Sequence, residues 1–214
     1  MHQFGRKSTL LGSVLLVLAL SPVALGCAED LKFQPSVEPE NAAAIVTDDN
    51  GNGSFTTRVR AEEADVWTYF DFQSGAEILP ADVGAQVWDL AFRRFHIQSN
   101  GGVSAGGGVR IALLASTEFD SLTQAPESGY LEDRADGEDD GAEPDTVFEA
   151  GDGWYAYDPS THTLSPRPVV YAIQSAEGDF FKLQMLGYYD QSGSDARPSF
   201  RWAPLLAPGS APEP

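Results

Sequence analysis

Residues 88–114 read WDLAFRRFHIQSNGGVSAGGGVRIALL, and we expect them to form the centre of the domain. Apolar and aromatic residues alternate with others over 88–98, which predicts one long strand that is covered on both faces. Residues 99–102, Ser-Asn-Gly-Gly, have the composition of a turn with positive φ. Residues 109–114 predict a second strand. We therefore expect a central β-hairpin of the kind found in the core of a sandwich or barrel.

Short alternating segments separated by turn residues recur on both sides of this hairpin, whereas helical periodicity is nearly absent. This pattern predicts an all-β fold, namely a single antiparallel domain, sandwich-like or barrel-like, over residues 53–206. Further strands are predicted over residues 53–60, 67–72, 77–79, 154–158, 162–165, 169–175, 180–189 and 199–204. A tail rich in Pro, Gly and Ala follows over residues 207–214, and we expect it to fray.

The composition limits the functions that this domain can have. The 214 residues include 32 acidic and 13 basic ones, which gives a formal net charge of −19. Such a surface repels polyanions, so we expect no binding of nucleic acid. We also expect no enzymatic activity, because the sequence lacks the motifs of a P-loop, a nucleophile elbow, an HExxH zinc site and a cysteine-based zinc site.

Residues 1–26 have the pattern of a bacterial lipoprotein signal peptide. The basic pair Arg6-Lys7 precedes an apolar segment over residues 10–20, which is too short to span a bilayer. The segment ends in a sequence that resembles a lipobox and places Cys27 at the lipidation position. Lipidation of this only cysteine would also remove a lone thiol from an oxidising compartment. A conventional secretory peptide is the alternative. No Asp follows the cysteine directly, which favours the outer membrane.

Residues 27–52 are polar and lack periodicity, so they predict a flexible tether between the lipid anchor and the domain. Within this segment Asp48, Asn50 and Asn52 have the spacing of the first half of an EF-hand loop, which would bind calcium. The twelfth position of such a loop is Val59 instead of Glu, and no helical pattern flanks it. We therefore favour a flexible turn over a calcium site.

A long acidic segment lies at residues 126–153. Its many like charges repel one another, which favours a mobile, solvated loop. The alternative is a loop folded around a calcium ion that is held by Asp133, Asp136, Glu138 and Asp140. Loops of this length often flank a ligand site.

Four segments of the chain resemble the HmuY-like family of bacterial haem-binding lipoproteins. They are WTYFDFQSG at 67–75, WDLAFRRFHIQSNGG at 88–102, FKLQMLGYYD at 181–190 and FRWAP at 200–204. The resemblance extends over roughly residues 54–206. It implies an all-β fold, attachment to the outer membrane, and non-covalent capture of haem for delivery to a TonB-dependent outer-membrane receptor.

The resemblance also implies axial haem ligands, which are His in some members of the family and Met in others. Because the family's ligand positions do not align with this chain, the candidates rest on donor chemistry: His96, His162 and Met185, with Tyr155 as a phenol donor. Each has a structural alternative. These are a hydrogen bond within the strand for His96, turn packing for His162, and core packing for Met185 and Tyr155.

The family resemblance and the candidate ligands leave two possible functions. The first is a haem carrier tethered to the outer membrane, in which Arg93 and Arg94, expected on opposite faces of the strand, would pair with haem carboxylates. The second is an all-β surface lipoprotein that has kept the fold but binds another ligand or a protein partner, without haem. Two donors converging on one pocket would favour the first function. Scattered donors beside an aromatic-lined groove would favour the second.

Overall fold

The computed structural model describes residues 43–79, 87–137 and 144–210, all of which belong to the unit Glu40–Pro214. The predicted signal peptide and Cys27 lie outside the described residues. The strands and one short 3-10 helix (Phe119–Ser121) follow in chain order: β1 Ile45–Asp49, β2 Phe55–Val59, β3 Thr68–Asp71, β4 Ala76–Ile78, β5 Leu90–Arg93, β6 His96–Ser99, β7 Arg110–Leu114, β8 Tyr155–Asp158, β9 Thr163–Pro166, β10 Val170–Gln174, β11 Phe180–Gly187 and β12 Ser199–Pro204.

The strands of the described ranges form three sheets. A six-stranded sheet has the order β1-β2-β12-β11-β10-β7, a four-stranded sheet has the order β4-β3-β5-β6, and β8 pairs with β9. Each pair of neighbouring strands is antiparallel, which confirms the all-β, antiparallel prediction. In the described part of the chain, no helix is long and apolar enough to cross a membrane.

The two larger sheets share one aromatic core. Phe92 of β5 stacks on Phe200 of β12 with ring centroids 5.4 Å apart, and Phe70 of β3 meets the same Phe200 ring edge-on at 5.3 Å. Phe72 stacks on Phe181 of β11 at 4.8 Å. Because burial of each such side chain stabilises the fold by about 1.5–3 kcal/mol, these contacts hold the sheets together.

The long strand predicted over residues 88–98 is wrong, because the chain reverses in its middle. β5 and β6 form a tight hairpin, with Arg94 and Phe95 in the turn and Arg93 opposite His96. Arg94 adopts a φ of 54°, which usually favours Gly or Asn. Contacts from elsewhere hold the turn: the Arg94 N–H donates to the carbonyl of Ala61 at 2.7 Å. The predicted hairpin between residues 88–98 and 109–114 is wrong too, since β7 pairs with β10 in the six-stranded sheet.

The tether predicted over residues 27–52 is wrong at its C-terminal end. β1 pairs with β2 in the six-stranded sheet, so residues 45–49 belong to the domain. The three side chains with EF-hand spacing lie at the β1–β2 hairpin. Asp48 forms an ion pair with Arg58 at 2.5 Å, Asn50 contacts the hydroxyl of Thr56 at 3.1 Å, and Asn52 accepts from the N–H of the nearby Ser54. Residues 27–42 lie outside the described ranges.

The acidic segment is not simply a solvated loop. Asp133 is only 2% exposed, and its carboxylate accepts hydrogen bonds from the N–H groups of Ser99 at 2.8 Å and Val147 at 3.0 Å. It therefore ties the segment to β6. Asp136 also makes a contact of its own. Glu138 and Asp140 lie outside the described residues.

The C-terminal tail is held further along than predicted. The side-chain amide of Gln124 donates to the carbonyls of Ala207 at 3.1 Å and Ser210 at 2.8 Å. The prediction that the chain frays from residue 207 onward is therefore wrong for residues 207–210. The last four residues lie outside the described part of the chain.

Candidate functional site

The predicted haem-ligand candidates lie in different environments. His96 opens β6, Tyr155 opens β8, and His162 is in the turn between β8 and β9. Met185 lies in β11 with 3% of its surface exposed and belongs to the hydrophobic core. Met185 therefore packs in the core, as its structural alternative predicted. The side chains of His96, Tyr155 and His162 are partly or fully exposed to solvent.

His96 and Tyr155 come together in a cluster that we call the His96 cluster, formed by Phe95, His96, Glu149, Trp154 and Tyr155. The Phe95 ring lies 4.2 Å from the His96 ring and meets Tyr155 edge-on at 5.8 Å. The indole N–H of Trp154 donates to the carbonyl of Phe95 at 3.0 Å. This bond fixes the β5–β6 turn against the start of β8, so the cluster joins residues 95–96 to residues 149–155.

One imidazole nitrogen of His96 is held by a carboxylate. Its Nδ1 lies 3.0 Å from Oε1 of Glu149, and the two side chains are 28% and 31% exposed. A carboxylate at this position favours the tautomer that carries its proton on Nδ1, which leaves the lone pair on Nε2. No described residue forms a hydrogen bond with Nε2. His96 is therefore arranged as metal-ligating histidines usually are.

The environment of Tyr155 favours the protonated form of its hydroxyl, whereas an iron ligand needs the phenolate. Burial raises the pKa of its hydroxyl, and the negative charge of Glu149 raises it further. Both effects favour the neutral phenol over the phenolate that binds ferric iron. In this position Tyr155 acts as an aromatic wall of the His96 cluster.

His162 lies at the tip of the β8–β9 hairpin and is exposed. Its Nδ1 lies 2.6 Å from the hydroxyl of Tyr157, which belongs to β8. Because Tyr155 and Tyr157 are two residues apart in one strand, their side chains share a face of the hairpin. The two histidines have different hydrogen-bond partners, Glu149 for His96 and Tyr157 for His162.

The two adjacent arginines do not alternate across a strand as predicted. The guanidinium of Arg93 lies 4.4 Å above the ring of Trp67. Arg94 is in the turn beside Phe95, and its guanidinium is 3.4 Å from the carboxylate of Asp195 in an exposed ion pair. Exposed ion pairs of this kind contribute little to stability. Arg94 is thus a cation next to the His96 cluster.

A second concave feature, which we call the outer groove, lies on the face of the four-stranded sheet that points away from the core. Its volume is about 520 Å³. It is lined by Tyr69, Val87, Trp88, Gln98, Asn100, Ser104, Ala105, Gly106, Gly107 and Ala176. None of these residues is a His or a Met, and none carries a charge.

Three carboxylates lie beside the outer groove without lining it. Ligand atoms of Asp71, Asp89 and Glu177 all lie within 4.8 Å of one another. Asp89 is fully buried and accepts from the N–H groups of Phe72 at 2.9 Å and Ala176 at 2.8 Å. Burial raises the pKa of Asp89 from 3.8 to about 6, and the charges of Asp71 and Glu177 raise it too. This environment disfavours an anionic ligand.

Sequence reasoning missed Glu149 and Trp154 as members of the His96 cluster. Glu149 was one of many acidic residues in a segment interpreted as a loop, and Trp154 was assigned to a strand. Nothing in their local sequence links them to residue 96, since 53 residues separate Glu149 from its partner. Only the packing of β8 against the β5–β6 turn brings them together.

A family model described as HmuY protein matches residues 63–202, more than half of the 214-residue chain. The chain belongs to the HmuY family. This confirms the resemblance that the segments at 67–75, 88–102 and 181–190 carry. The His96 cluster and the outer groove both lie within the matched range.

Solved structures show the same fold. An apo HmuY analog from Tannerella forsythia has a TM-score of 0.53 at 14% identity, with 78% of this chain and 99% of that chain covered. A Bacteroides vulgatus ATCC 8482 protein, provisionally assigned as HmuY-like and heme-binding, has a TM-score of 0.54 at 18% identity, covering 76% and 97%. A provisionally assigned lipoprotein from Bacteroides fragilis NCTC 9343 has a TM-score of 0.54 at 16% identity, with 82% of this chain and 100% of that chain covered. At these identities the likeness shows the fold alone. No curated protein sequence matches the chain.

Proposed function

We propose that this HmuY family member is a non-enzymatic carrier that binds haem reversibly at the His96 cluster. The observation that carries the proposal is the pairing of His96 Nδ1 with Glu149. This pairing leaves the lone pair of Nε2 available to a metal on a partly exposed surface. Family membership and the heme-binding assignment of a structural relative support the same ligand.

The residues of the cluster fit a haem group. Bound haem supplies an iron that accepts one or two axial ligands, and the neutral imidazole of His96 is a common ligand for it. The rings of Phe95 and Tyr155 offer apolar surface beside that imidazole. Arg94 provides a positive charge for a haem carboxylate at the same turn. His162, on the adjoining hairpin, is the candidate for the second axial position.

The place of action is part of this proposal. The pattern of residues 1–27 supports export and lipid anchoring at Cys27. The assignment of a structural relative as a lipoprotein agrees with it. We place the domain at the outer membrane, where it would capture haem and pass it to a TonB-dependent receptor.

A second candidate function is the binding of another ligand on the same fold, without haem. The outer groove favours it, because this groove has aromatic walls and no His or Met among the described residues that line it. The neighbouring carboxylates also disfavour haem there, since haem carries two carboxylates of its own. If both functions exist, they use different surfaces.

The first test is a haem titration of the mature chain with Cys27→Ser to prevent lipidation. We expect a saturable change in the Soret absorption that ends at one equivalent of haem. A linear change without saturation describes non-specific adsorption and contradicts the carrier function. Zinc protoporphyrin, which has the same ring and carboxylates with a different metal, is a matched ligand control for iron coordination.

A further inference from the structure

The outer groove has hydrogen-bonding capacity that the protein does not use. No described residue forms a hydrogen bond with the hydroxyl of Tyr69, the indole N–H of Trp88 or the side-chain amide of Gln98. The hydroxyl oxygen of Ser104 is buried and has no partner either. The buried, unpartnered hydroxyl of Ser104 calls for an explanation, and a ligand that also engages the polar groups of Tyr69, Trp88 and Gln98 is one.

Aromatic rings form the apolar part of the same groove. Tyr69 and Trp88 meet edge-on with centroids 4.9 Å apart, and they belong to a small hydrophobic cluster with Ile78 and Ala91. Rings fixed in this way provide firm apolar surface at low entropic cost. The groove thus combines aromatic walls with hydroxyl and amide groups.

The opposite wall of the groove is preorganised by Asn100. Its side-chain amide donates to the carbonyl of Trp88 at 2.8 Å, and its Oδ1 accepts from the N–H of Gly107 at 2.8 Å. A Cβ at Gly107 would lie 2.3 Å from the amide nitrogen of Asn100, so only glycine fits there. Gly101 has equally little room, because a Cβ would lie 2.0 Å from the carbonyl oxygen of Val109. A fixed wall reduces the entropy lost when a ligand binds.

The charge around the groove limits what can bind. The described residues that line the groove are neutral, while Asp71, Asp89 and Glu177 cluster beside it. None of these three carboxylates forms an ion pair in the described part of the chain. The absence of a compensating cation agrees with the raised pKa of Asp89 and of Glu177. An anionic ligand would add like charge to this region, so a neutral ligand is preferred over an anionic one.

We propose that the outer groove binds a neutral saccharide ring. A pyranose has C–H faces that lie against aromatic rings and hydroxyl groups around its edge that both donate and accept hydrogen bonds. Tyr69 and Trp88 match the first property, and Tyr69, Gln98 and Ser104 match the second. The volume of about 520 Å³ suits a short oligosaccharide. This proposal is independent of haem and uses a different surface from the His96 cluster.

The experiment is a binding survey of the mature Cys27→Ser chain against soluble neutral oligosaccharides and their uronate-containing or sulfated counterparts. Isothermal titration then measures the affinity of the strongest neutral binder at low and high salt. We expect saturable binding of a neutral oligosaccharide that salt leaves unchanged, and at least about tenfold weaker binding of the acidic counterpart. Binding that weakens steeply with salt would overturn the proposal, because it would point to a charged ligand.

Two variants locate the site. The double variant Gln98→Ala with Ser104→Ala removes hydrogen-bonding groups from the groove and is expected to weaken binding about tenfold or more. Gln191→Ala, an exposed glutamine outside the groove, is the matched control and should leave the affinity unchanged. Equal binding by the double variant and the parent chain overturns the proposal. So does a survey in which no neutral oligosaccharide binds saturably. Preincubation with haem should not alter saccharide affinity, which separates this test from that of the carrier function.

Discussion

The Nδ1 atom of His96 lies 3.0 Å from Oε1 of Glu149, although the two residues are 53 positions apart in the chain. His96 begins β6, whereas Glu149 lies in the acidic segment just before β8. The contact therefore depends on the docking of that segment onto the β5–β6 hairpin. It gives one solvent-accessible imidazole a defined tautomer, which is what an iron ligand needs.

Replacing Glu149 tests whether this contact positions His96 for iron. Glu149→Ala leaves Nδ1 without its carboxylate partner and is expected to lower haem affinity about 10- to 100-fold. Glu149→Gln keeps an acceptor oxygen and should lose less. Haem titration followed by Soret absorption measures both variants, with the exposed Glu127→Ala as the control. An unchanged affinity in Glu149→Ala would contradict the positioning role.

A readout that needs no haem separates positioning from folding. Nitrogen NMR of the haem-free chain reports which ring nitrogen of His96 carries the proton. We expect the Nδ1-protonated tautomer in the parent chain and a mixture of tautomers in Glu149→Ala. An equal mixture in both would show that the carboxylate does not select the tautomer.

Replacing Asp133 tests the anchoring of the acidic segment. Its buried carboxylate accepts hydrogen bonds from the N–H groups of Ser99 and Val147. Asparagine has one acceptor oxygen and one donor NH₂ group. In Asp133→Asn one backbone N–H therefore faces the NH₂ group and loses its hydrogen bond. We expect a loss of about 2–3 kcal/mol in the free energy of unfolding, measured by urea denaturation. The exposed neighbour Glu132→Gln should change it by less than about 0.5 kcal/mol.

The raised pKa of Asp89 predicts a pH dependence of stability. Burial raises this pKa from 3.8 to about 6, so the folded protein binds the proton more tightly than the unfolded chain does. The contribution of this group to the free energy of unfolding is therefore fully present below about pH 3.8 and is lost as the pH rises through 6. The loss is on the order of 3 kcal/mol.

Denaturant unfolding at several pH values between 4 and 7 measures this effect. Asp89→Asn removes the titrating group, so its unfolding free energy should fall less over this range than that of the parent chain. Glu177→Gln removes one of the like charges beside Asp89 and should lower its pKa, as carboxyl carbon NMR would show. Identical pH slopes in the parent chain and Asp89→Asn would contradict the prediction.

The backbone of Arg94 provides a test of the hairpin turn. Its φ of 54° is unfavourable for a residue with a side chain, and its ion pair with Asp195 is exposed. Arg94→Gly is therefore expected to raise the free energy of unfolding by about 1 kcal/mol. Thermal and urea unfolding measure the change, with Arg58→Gly in β2 as a control that should destabilise. A loss of stability in Arg94→Gly would show that the side chain matters more than the turn.

The sequence predicts the strands better than it predicts their partners. Alternation over 180–189 and 199–204 identifies β11 and β12 because each strand has one face in the core. The β5–β6 turn escapes prediction since Arg94 and Phe95 are not turn residues, and Ala61 and Trp154 hold them in place. Alternation continues through such a turn as though the chain ran straight.

The candidate site is predictable only in its donors. Donor chemistry selects His96, His162, Met185 and Tyr155, and only the structure shows that His96 and Tyr155 lie in one cluster. Their neighbours depend on packing between distant segments, as for Glu149. The outer groove likewise arises from tertiary structure, since Tyr69, Gln98 and Ala176 belong to three separate segments. A hydrophobic pattern reports which face of a strand is buried, but not which segment covers it.

The most direct test of the carrier function compares haem binding by the parent chain, His96→Ala and His162→Ala under identical conditions. Soret titration should give a saturable one-to-one complex for the parent chain. His96→Ala should weaken it by more than about tenfold, and His162→Ala should weaken it less. Circular dichroism confirms that each variant remains folded. Equal haem affinity in His96→Ala and the parent chain, or no saturable complex in the parent chain, would contradict the assignment of His96 as the iron ligand.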